Sequence, residues 1–99
     1  MAPEFEWDSA KAEENRKKHG VAFAEAVTVF ADPLASVFED ADHSSDERRE
    51  LIIGHSISRR LIVVSFTDRD ERTRIISARP ATTRERRDYE QHTKEERQG

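Results

Sequence analysis

The sequence predicts an α+β domain made of two N-terminal helices, a four-stranded antiparallel sheet and a C-terminal helix. Helix caps and a helical spacing of apolar residues occupy the first third of the chain. Four segments rich in β-branched and aromatic residues follow, with polar connections between them. The helical pattern returns after Pro80. Because short connections join antiparallel neighbours, the strands are expected to form a meander.

Length and composition restrict the class of protein. The chain has 99 residues, of which 38% are charged and 34% apolar, and we expect residues 1–99 to form one domain. The longest aliphatic run, residues 61–64, is far shorter than the roughly 20 residues of a membrane helix. The N-terminus lacks the pattern of a signal peptide, so a cytoplasmic location is expected. The absence of cysteine excludes disulfides and a cysteine nucleophile.

The first helix is predicted over residues 8–18. Asp8 is a suitable N-cap, basic residues cluster at the end, and Gly20 stops the helix. Apolar residues are scarce within it, so Phe5 and Trp7 are expected to supply hydrophobic anchorage. Residues 4–7 are a candidate for a short edge strand.

A second helix is predicted from residue 22 or 23 to residue 30. Its apolar residues recur at helical spacing, and Asp32-Pro33 ends it. The aromatic side chains of this half are interpreted as core residues, because a chain with so few apolar residues needs them there. They are Phe5, Trp7, Phe23 and Phe30.

The strands are predicted over residues 34–39, 50–58, 60–67 and 73–79. Turns are expected at 58–59 and 68–71, and a longer polar loop at 41–47. Side chains alternate along a strand, so Arg74 and Arg79 are expected on opposite faces of the last strand.

The C-terminal helix is predicted to begin at Thr82 or Thr83 and to run to about residue 96. Thr82 and Glu85 have the spacing of a capping box. Tyr89 is the main apolar residue of this helix, so we expect packing up to Tyr89 and fraying over about residues 95–99.

Charge is distributed unevenly along the chain. Residues 1–50 carry 13 acidic and 6 basic side chains, whereas residues 71–87 have a local charge of +4. The basic segment is where a polyanion would bind. Pairing of these arginines with the acidic half of the same chain is the alternative.

Several short motifs follow one another along residues 5–90. They are Phe5-Glu6-Trp7-Asp8, Lys18-His19-Gly20, Phe23 with Glu25-Ala26, Asp32-Pro33, the run RIISAR from Arg74 to Arg79, and Glu85-Arg86 with Tyr89. In this order and spacing they resemble the BrnT toxins. The resemblance implies a RelE-like fold, endoribonuclease activity and a BrnA-type antitoxin made from the same operon.

RNA cleavage without a metal requires activation of the ribose 2′-hydroxyl, neutralisation of the phosphate and protonation of the leaving oxygen. Arg74 and Arg79 are the main phosphate candidates, with ion pairing inside the fold as the alternative. Lys18, His19 and Tyr89 are candidates for proton transfer. The alternative is a helix-dipole role for the first two and an amphipathic anchor for Tyr89.

Four further residues are candidates for RNA binding, by charge or by hydrogen bonding: Arg49, Thr67, Arg72 and Arg86. No cofactor is expected. The four histidines show no metal-ligand spacing, and the chain has no glycine-rich phosphate loop.

A different class of function is an interaction module that binds its antitoxin in a complex on operator DNA. The net charge of -4 argues against DNA binding by this chain alone, so operator DNA would be contacted only through the antitoxin.

Overall fold

The computed structural model describes residues 4–40 and 48–98, with side chains up to residue 95. In chain order the elements are β1 (Glu4–Glu6), α1 (Ser9–His19), α2 (Phe23–Val29), β2 (Ser36–Glu39), β3 (Glu50–His55), β4 (Leu61–Arg69), β5 (Arg72–Pro80) and α3 (Thr83–Gln98). The predicted loop 41–47 lies outside the described residues. None of the described helices has the length and apolarity that crossing a membrane requires.

The sheet has five strands in the order β1-β5-β4-β3-β2. The four later strands pair antiparallel, as expected, but β1 joins β5 in parallel. The predicted four-stranded antiparallel sheet is therefore wrong, and the fold is α+β with a five-stranded mixed sheet. The candidate edge strand at the N-terminus is confirmed. The residues with which it pairs lie 68 positions further along the chain.

The sheet has a helix layer on each face. One face, which we name the helix-pair face, packs against α1 and α2 through Ile62, Val64 and Phe66 of β4. The opposite face, which we name the α3 face, contributes Leu61 and Val63 to a smaller cluster around Tyr89. Successive residues of β4 thus belong to two separate cores.

Helix α1 has the predicted ends. The Asp8 side chain accepts a hydrogen bond from Lys11 N–H at 3.0 Å, and Gly20 closes the helix in the left-handed conformation at φ 71°. Phe5 packs on the core, but Trp7 is 37% exposed, so its assignment to the core is wrong. Trp7 instead lies at the rim, with its ring edge-on to Phe23.

Buried Asn15 attaches α1 to the sheet. Its side-chain amide accepts from Ala78 N–H at 3.1 Å and donates to Ala78 C=O at 2.8 Å and to Val21 C=O at 3.0 Å. Strand β1 pairs only with Arg72–Arg74 of β5 and does not reach Ala78. The Asn15 amide therefore makes the hydrogen bonds to Ala78 that the backbone of a neighbouring strand would otherwise make.

A β-bulge interrupts β5. Ser77 lies opposite Ser65 and Ile75 lies opposite Phe66, which leaves Ile76 as an extra residue. Ile75 and Ala78 consequently face the same core, although strict alternation separates them. The expectation that Arg74 and Arg79 lie on opposite faces is therefore wrong, because both lie on the α3 face.

Helix α3 begins with the predicted capping box. Thr82 N–H donates to the Glu85 carboxylate at 2.9 Å, and Glu85 N–H donates to Thr82 Oγ1 at 3.1 Å. The helix extends to Gln98, and buried Thr93 shows that packing continues one turn beyond Tyr89.

Both predicted tight turns are present. The β4–β5 connection consists of Asp70 and Glu71, which have φ values of 47° and 68°, as expected for a two-residue hairpin loop. Arg59 has a φ of 64° in the β3–β4 connection.

Candidate functional site

Four polar residues cross the α3 face, three of them on neighbouring strands and the fourth immediately before β3. Glu6 of β1 lies opposite Arg74 of β5, which lies opposite Thr67 of β4. Continuing the β3–β4 register by one residue beyond Glu50 places Arg49 opposite Thr67. We name Glu6, Arg74, Thr67 and Arg49 the polar row. It brings together three of the residues predicted from the sequence.

The polar row is held by specific contacts. Arg74 Nη1 donates to Glu6 Oε2 at 2.8 Å. Thr67 is buried, and its hydroxyl donates to Arg48 C=O at 2.8 Å. Arg74 itself is about one-third exposed, so its guanidinium remains within reach of a ligand.

Arg72 extends the polar row towards the end of the β4–β5 hairpin. Its Nη1 lies 3.7 Å from Glu6 Oε1, and its Nε lies 3.2 Å from Glu4 Oε2. A cavity of about 450 Å³ opens beside these groups, lined by Glu6, Arg69, Asp70 and Arg72. The surface thus combines several guanidinium groups with one central carboxylate.

Arg79 lies on the same face but further along the strand. Its Nη1 and Nη2 donate to the two carboxylate oxygens of Glu85 at 2.7 and 2.9 Å. This pairing is the main reason that the pKa of Glu85 falls to about 2. Val63 and Thr67, the β4 partners of Arg79 and Arg74, are four residues apart, so the two arginines are roughly 13 Å apart along the sheet.

Tyr89 belongs to a hydrogen-bonded group that sequence reasoning did not find, in which Tyr89 is buried, Asp32 is half-buried and His55 is exposed. Its hydroxyl donates to Asp32 Oδ2 at 2.9 Å, and the same oxygen accepts from His55 N–H at 2.7 Å. His55 Nδ1 lies 3.3 Å from the tyrosine oxygen, and Leu34 N–H donates to Asp32 Oδ1 at 2.9 Å. Burial acts to raise the pKa of Asp32, but these hydrogen bonds together lower it.

Strand β3 gives Asp32 its position. Gly54 lies so close to the Asp32 turn that a Cβ at this residue would be 2.9 Å from Ala35 Cβ and 3.0 Å from Asp32 Oδ2. The turn that follows α2 therefore closes against the sheet, and α3 is tied to it from the other side through Tyr89. This arrangement supports the interpretation of Tyr89 as an anchor.

The remaining predicted residues lie elsewhere. Lys18 and His19 end α1, which packs on the helix-pair face, so they are not brought together with the polar row. Arg86 is exposed on α3, one residue after Glu85. No group of three potential metal ligands is found in the parts of the chain that the structure describes.

In the sequence analysis, Glu6 was noted only as part of the motif Phe5-Glu6-Trp7-Asp8. A signal was nevertheless present, because Glu4, Glu6, Arg72 and Arg74 have complementary charges at the same two-residue spacing. Using it requires knowledge that β1 pairs with β5.

Comparisons with known proteins agree with this structure. Residues 7–85 match the model of a family described as the ribonuclease toxin BrnT of type II toxin–antitoxin systems. A crystal structure of the Brucella abortus ribonuclease toxin BrnT is similar, with a TM-score of 0.63 and 28% sequence identity. The match covers 83% of this chain and 100% of the Brucella chain. A search of curated protein sequences gives no match.

Proposed function

Because the chain belongs to the BrnT family of ribonuclease toxins of type II toxin–antitoxin systems, we propose that it is an endoribonuclease that cleaves RNA at the polar row without a metal. The ribose 2′-hydroxyl attacks the adjacent phosphorus, the bond to the 5′-oxygen breaks, and a cyclic phosphate remains. Inhibition of translation and growth would follow from this cleavage.

The observation that carries the proposal is the position of Arg74. A guanidinium has five N–H donors, and the pair with Glu6 leaves others for phosphate oxygens. Thr67 is buried and its hydroxyl donates to Arg48 C=O, so it supports the polar row rather than contacting RNA. Arg49 lies in line with Arg74, and Arg72 lies beside Arg74 on the same face. Such a cluster stabilises the negative charge that develops on the phosphate.

Arg79 and Arg86 take a secondary part in this proposal. Both terminal nitrogens of Arg79 are bound to Glu85, so Arg79 would bind a more distant phosphate only when RNA displaces that carboxylate. Arg86 would bind the RNA backbone from α3. Lys18 and His19 stay at the end of α1 with a dipole role, and Tyr89 anchors α3.

We assign the chain two macromolecular ligands. RNA is the substrate, and an antitoxin of the BrnA type is the inhibitor. Operator DNA would be bound through the antitoxin, since a net charge of -4 opposes DNA binding by this chain. The proposed site of action is the cytoplasm.

The test uses purified protein free of antitoxin, a defined RNA and EDTA, with analysis of the 3′ ends of the fragments. We expect cyclic or 3′-phosphate ends. Arg74→Ala is expected to lower the cleavage rate at least about 100-fold, and Arg74→Ala with Arg79→Ala to abolish cleavage. Arg74→Lys keeps the positive charge but lacks the planar guanidinium with its fixed N–H donors, so this variant should be only partly active.

Arg16→Ala is the matched control, because Arg16 is an exposed arginine paired with Glu13 on α1. It should cleave at the native rate. Full activity of a folded Arg74→Ala, Arg79→Ala double variant would contradict the site. Lack of cleavage by the folded native protein would contradict the ribonuclease proposal and favour the interaction module, a possibility consistent with the internal pairing of the arginines.

A further inference from the structure

The proposed cleavage needs a group that removes the proton from the 2′-hydroxyl. Lys18 and His19 lie on α1, in the layer opposite the polar row. The hydroxyl of Tyr89 is buried and donates to Asp32. A proton acceptor beside the phosphate-binding arginines therefore has to come from another residue.

We propose that Glu6 is the general base of this reaction. The inference rests on the proposed ribonuclease function and assigns a further residue to the same site. Glu6 Oε2 is 2.8 Å from Arg74 and Glu6 Oε1 is 3.7 Å from Arg72, the two guanidinium groups that would hold the phosphate. A carboxylate in this position reaches a hydroxyl on the ribose attached to that phosphate.

The surroundings of Glu6 suit this role. Its side chain is 29% exposed and lines the cavity of about 450 Å³ together with Arg69, Asp70 and Arg72. The backbone of β1 is paired with β5, so the carboxylate projects from a fixed strand. The charged groups facing it are Arg72 and Arg74 of β5, Arg69 and Asp70 of the hairpin, and Glu4 of its own strand.

Glu6 takes the proton of the 2′-hydroxyl, and the 2′-oxygen forms a bond to phosphorus. The bond between phosphorus and the 5′-oxygen breaks, and a water molecule from the solvent protonates that oxygen. The hydroxide that remains takes the proton from Glu6, which returns the carboxylate and water. Arg74 and Arg72 stabilise the charge that accumulates on the non-bridging oxygens.

Glu4 provides a matched control for the experiment. It lies two residues before Glu6 on the same face and pairs with Arg72, but its side chain is 70% exposed and does not line the cavity. A carboxylate that only holds β1 on β5 would behave like Glu4. A general base would behave differently.

The experiment measures cleavage of a defined RNA oligonucleotide across a range of pH by the native protein, Glu6→Gln, Glu6→Asp and Glu4→Gln. Glutamine keeps the size of the side chain and an oxygen for Arg74, but it is a far weaker base. We expect Glu6→Gln to lower the rate between about 100-fold and 10,000-fold and to remove the fall in rate on acidification. Glu6→Asp should retain that fall, and Glu4→Gln should match the native protein.

Circular dichroism shows whether each variant is folded. Binding is measured with RNA that carries 2′-methoxy groups, because its 2′-oxygens cannot attack the adjacent phosphorus. A folded Glu6→Gln that cleaves at the native rate, or more slowly with an unchanged pH profile, would overturn the base role and leave the ribonuclease proposal standing. Lack of cleavage by the native protein would instead overturn the function on which the inference rests.

Discussion

The two faces of the sheet are covered to different extents. On the helix-pair face, α1 and α2 bury a continuous cluster that reaches from Val21 to Ala78. On the α3 face, one helix covers only the region around Tyr89, Leu61 and Val63. The polar row lies beyond this region on the same face.

This difference shows how a small chain can keep the surface that supplies stability apart from the surface proposed to bind RNA. One face supplies most of the apolar burial, so the other can keep arginines and a carboxylate on rigid strands. The bulge at Ile76 is required for this division, because it brings Arg74 and Arg79 to one face.

The largest effect on the free energy of unfolding is expected when the side chains of two neighbouring residues of β4 are truncated to alanine, one at a time. Ile62 is 0% exposed on the helix-pair face, and Leu61 is 2% exposed on the α3 face. We expect Ile62→Ala to lower the free energy of unfolding by about 4 kcal/mol and Leu61→Ala by about 2 to 3 kcal/mol, because the smaller cluster can relax around the cavity. Urea denaturation measures both. A larger loss for Leu61→Ala would contradict the comparison.

The second prediction concerns acid stability on the α3 face. Pairing with Arg79 and the capping hydrogen bonds lower the pKa of Glu85 from 4.5 to about 2. A carboxyl group whose pKa falls on folding contributes stability that is full above the unfolded pKa and is lost as pH decreases through the folded pKa. We expect Glu85→Gln to lower the free energy of unfolding by roughly 2 kcal/mol at pH 7. The variant should also lack the decrease in stability that Glu85 causes in the native protein as the pH falls from about 4.5 to about 2.

The free energy of unfolding, measured in denaturant at several pH values, checks this prediction. Glu13→Gln is the control, because Glu13 pairs with Arg16 on the exposed side of α1. It should change the pH dependence little, since exposed ion pairs contribute little. Parallel pH profiles for native protein and Glu85→Gln would contradict the prediction.

Local signals in the sequence predicted the ends of α1 and the start of α3, on both faces of the sheet. The N-cap at Asp8, the stop at Gly20 and the capping box at Thr82 depend on neighbouring residues, and all three are present. The limits of the strands differ by a few residues. Tertiary pairing decides these limits, because it extends β4 and β5 to the two-residue hairpin loop.

Long-range contacts account for what the sequence did not predict. The parallel pairing of β1 joins residues that are 68 positions apart, and the bulge adds a residue that no periodicity reveals. Asp32 was read as the end of α2 and as part of a family motif, but not as a residue whose carboxylate joins three segments of the chain. The candidate residues Arg49, Thr67 and Arg74 were identified, but their alignment with Glu6 required the register.

A smaller effect is expected from Tyr89→Phe, which keeps the ring and removes the hydroxyl. Asp32 loses one of its three hydrogen-bond donors, so we expect a loss of about 1 to 2 kcal/mol in the free energy of unfolding. Hydrogen exchange should increase in α3 and remain unchanged in α1, since Tyr89 belongs to α3 and α1 takes no part in this contact. Equal increases in both helices would show that the two layers do not open separately.

The smallest effect on stability, and a clear one on binding, is expected at Arg86. This residue is exposed on α3, so Arg86→Ala should change the free energy of unfolding by less than about 0.5 kcal/mol. If it binds a phosphate, its removal should weaken the binding of 2′-methoxy RNA and make the slope of log affinity against log salt shallower by about 0.7. Arg16→Ala on the opposite face should leave both quantities unchanged. An equal change in the two variants would mean that RNA responds to total charge, whereas a change at Arg86 alone would place the RNA on the α3 face.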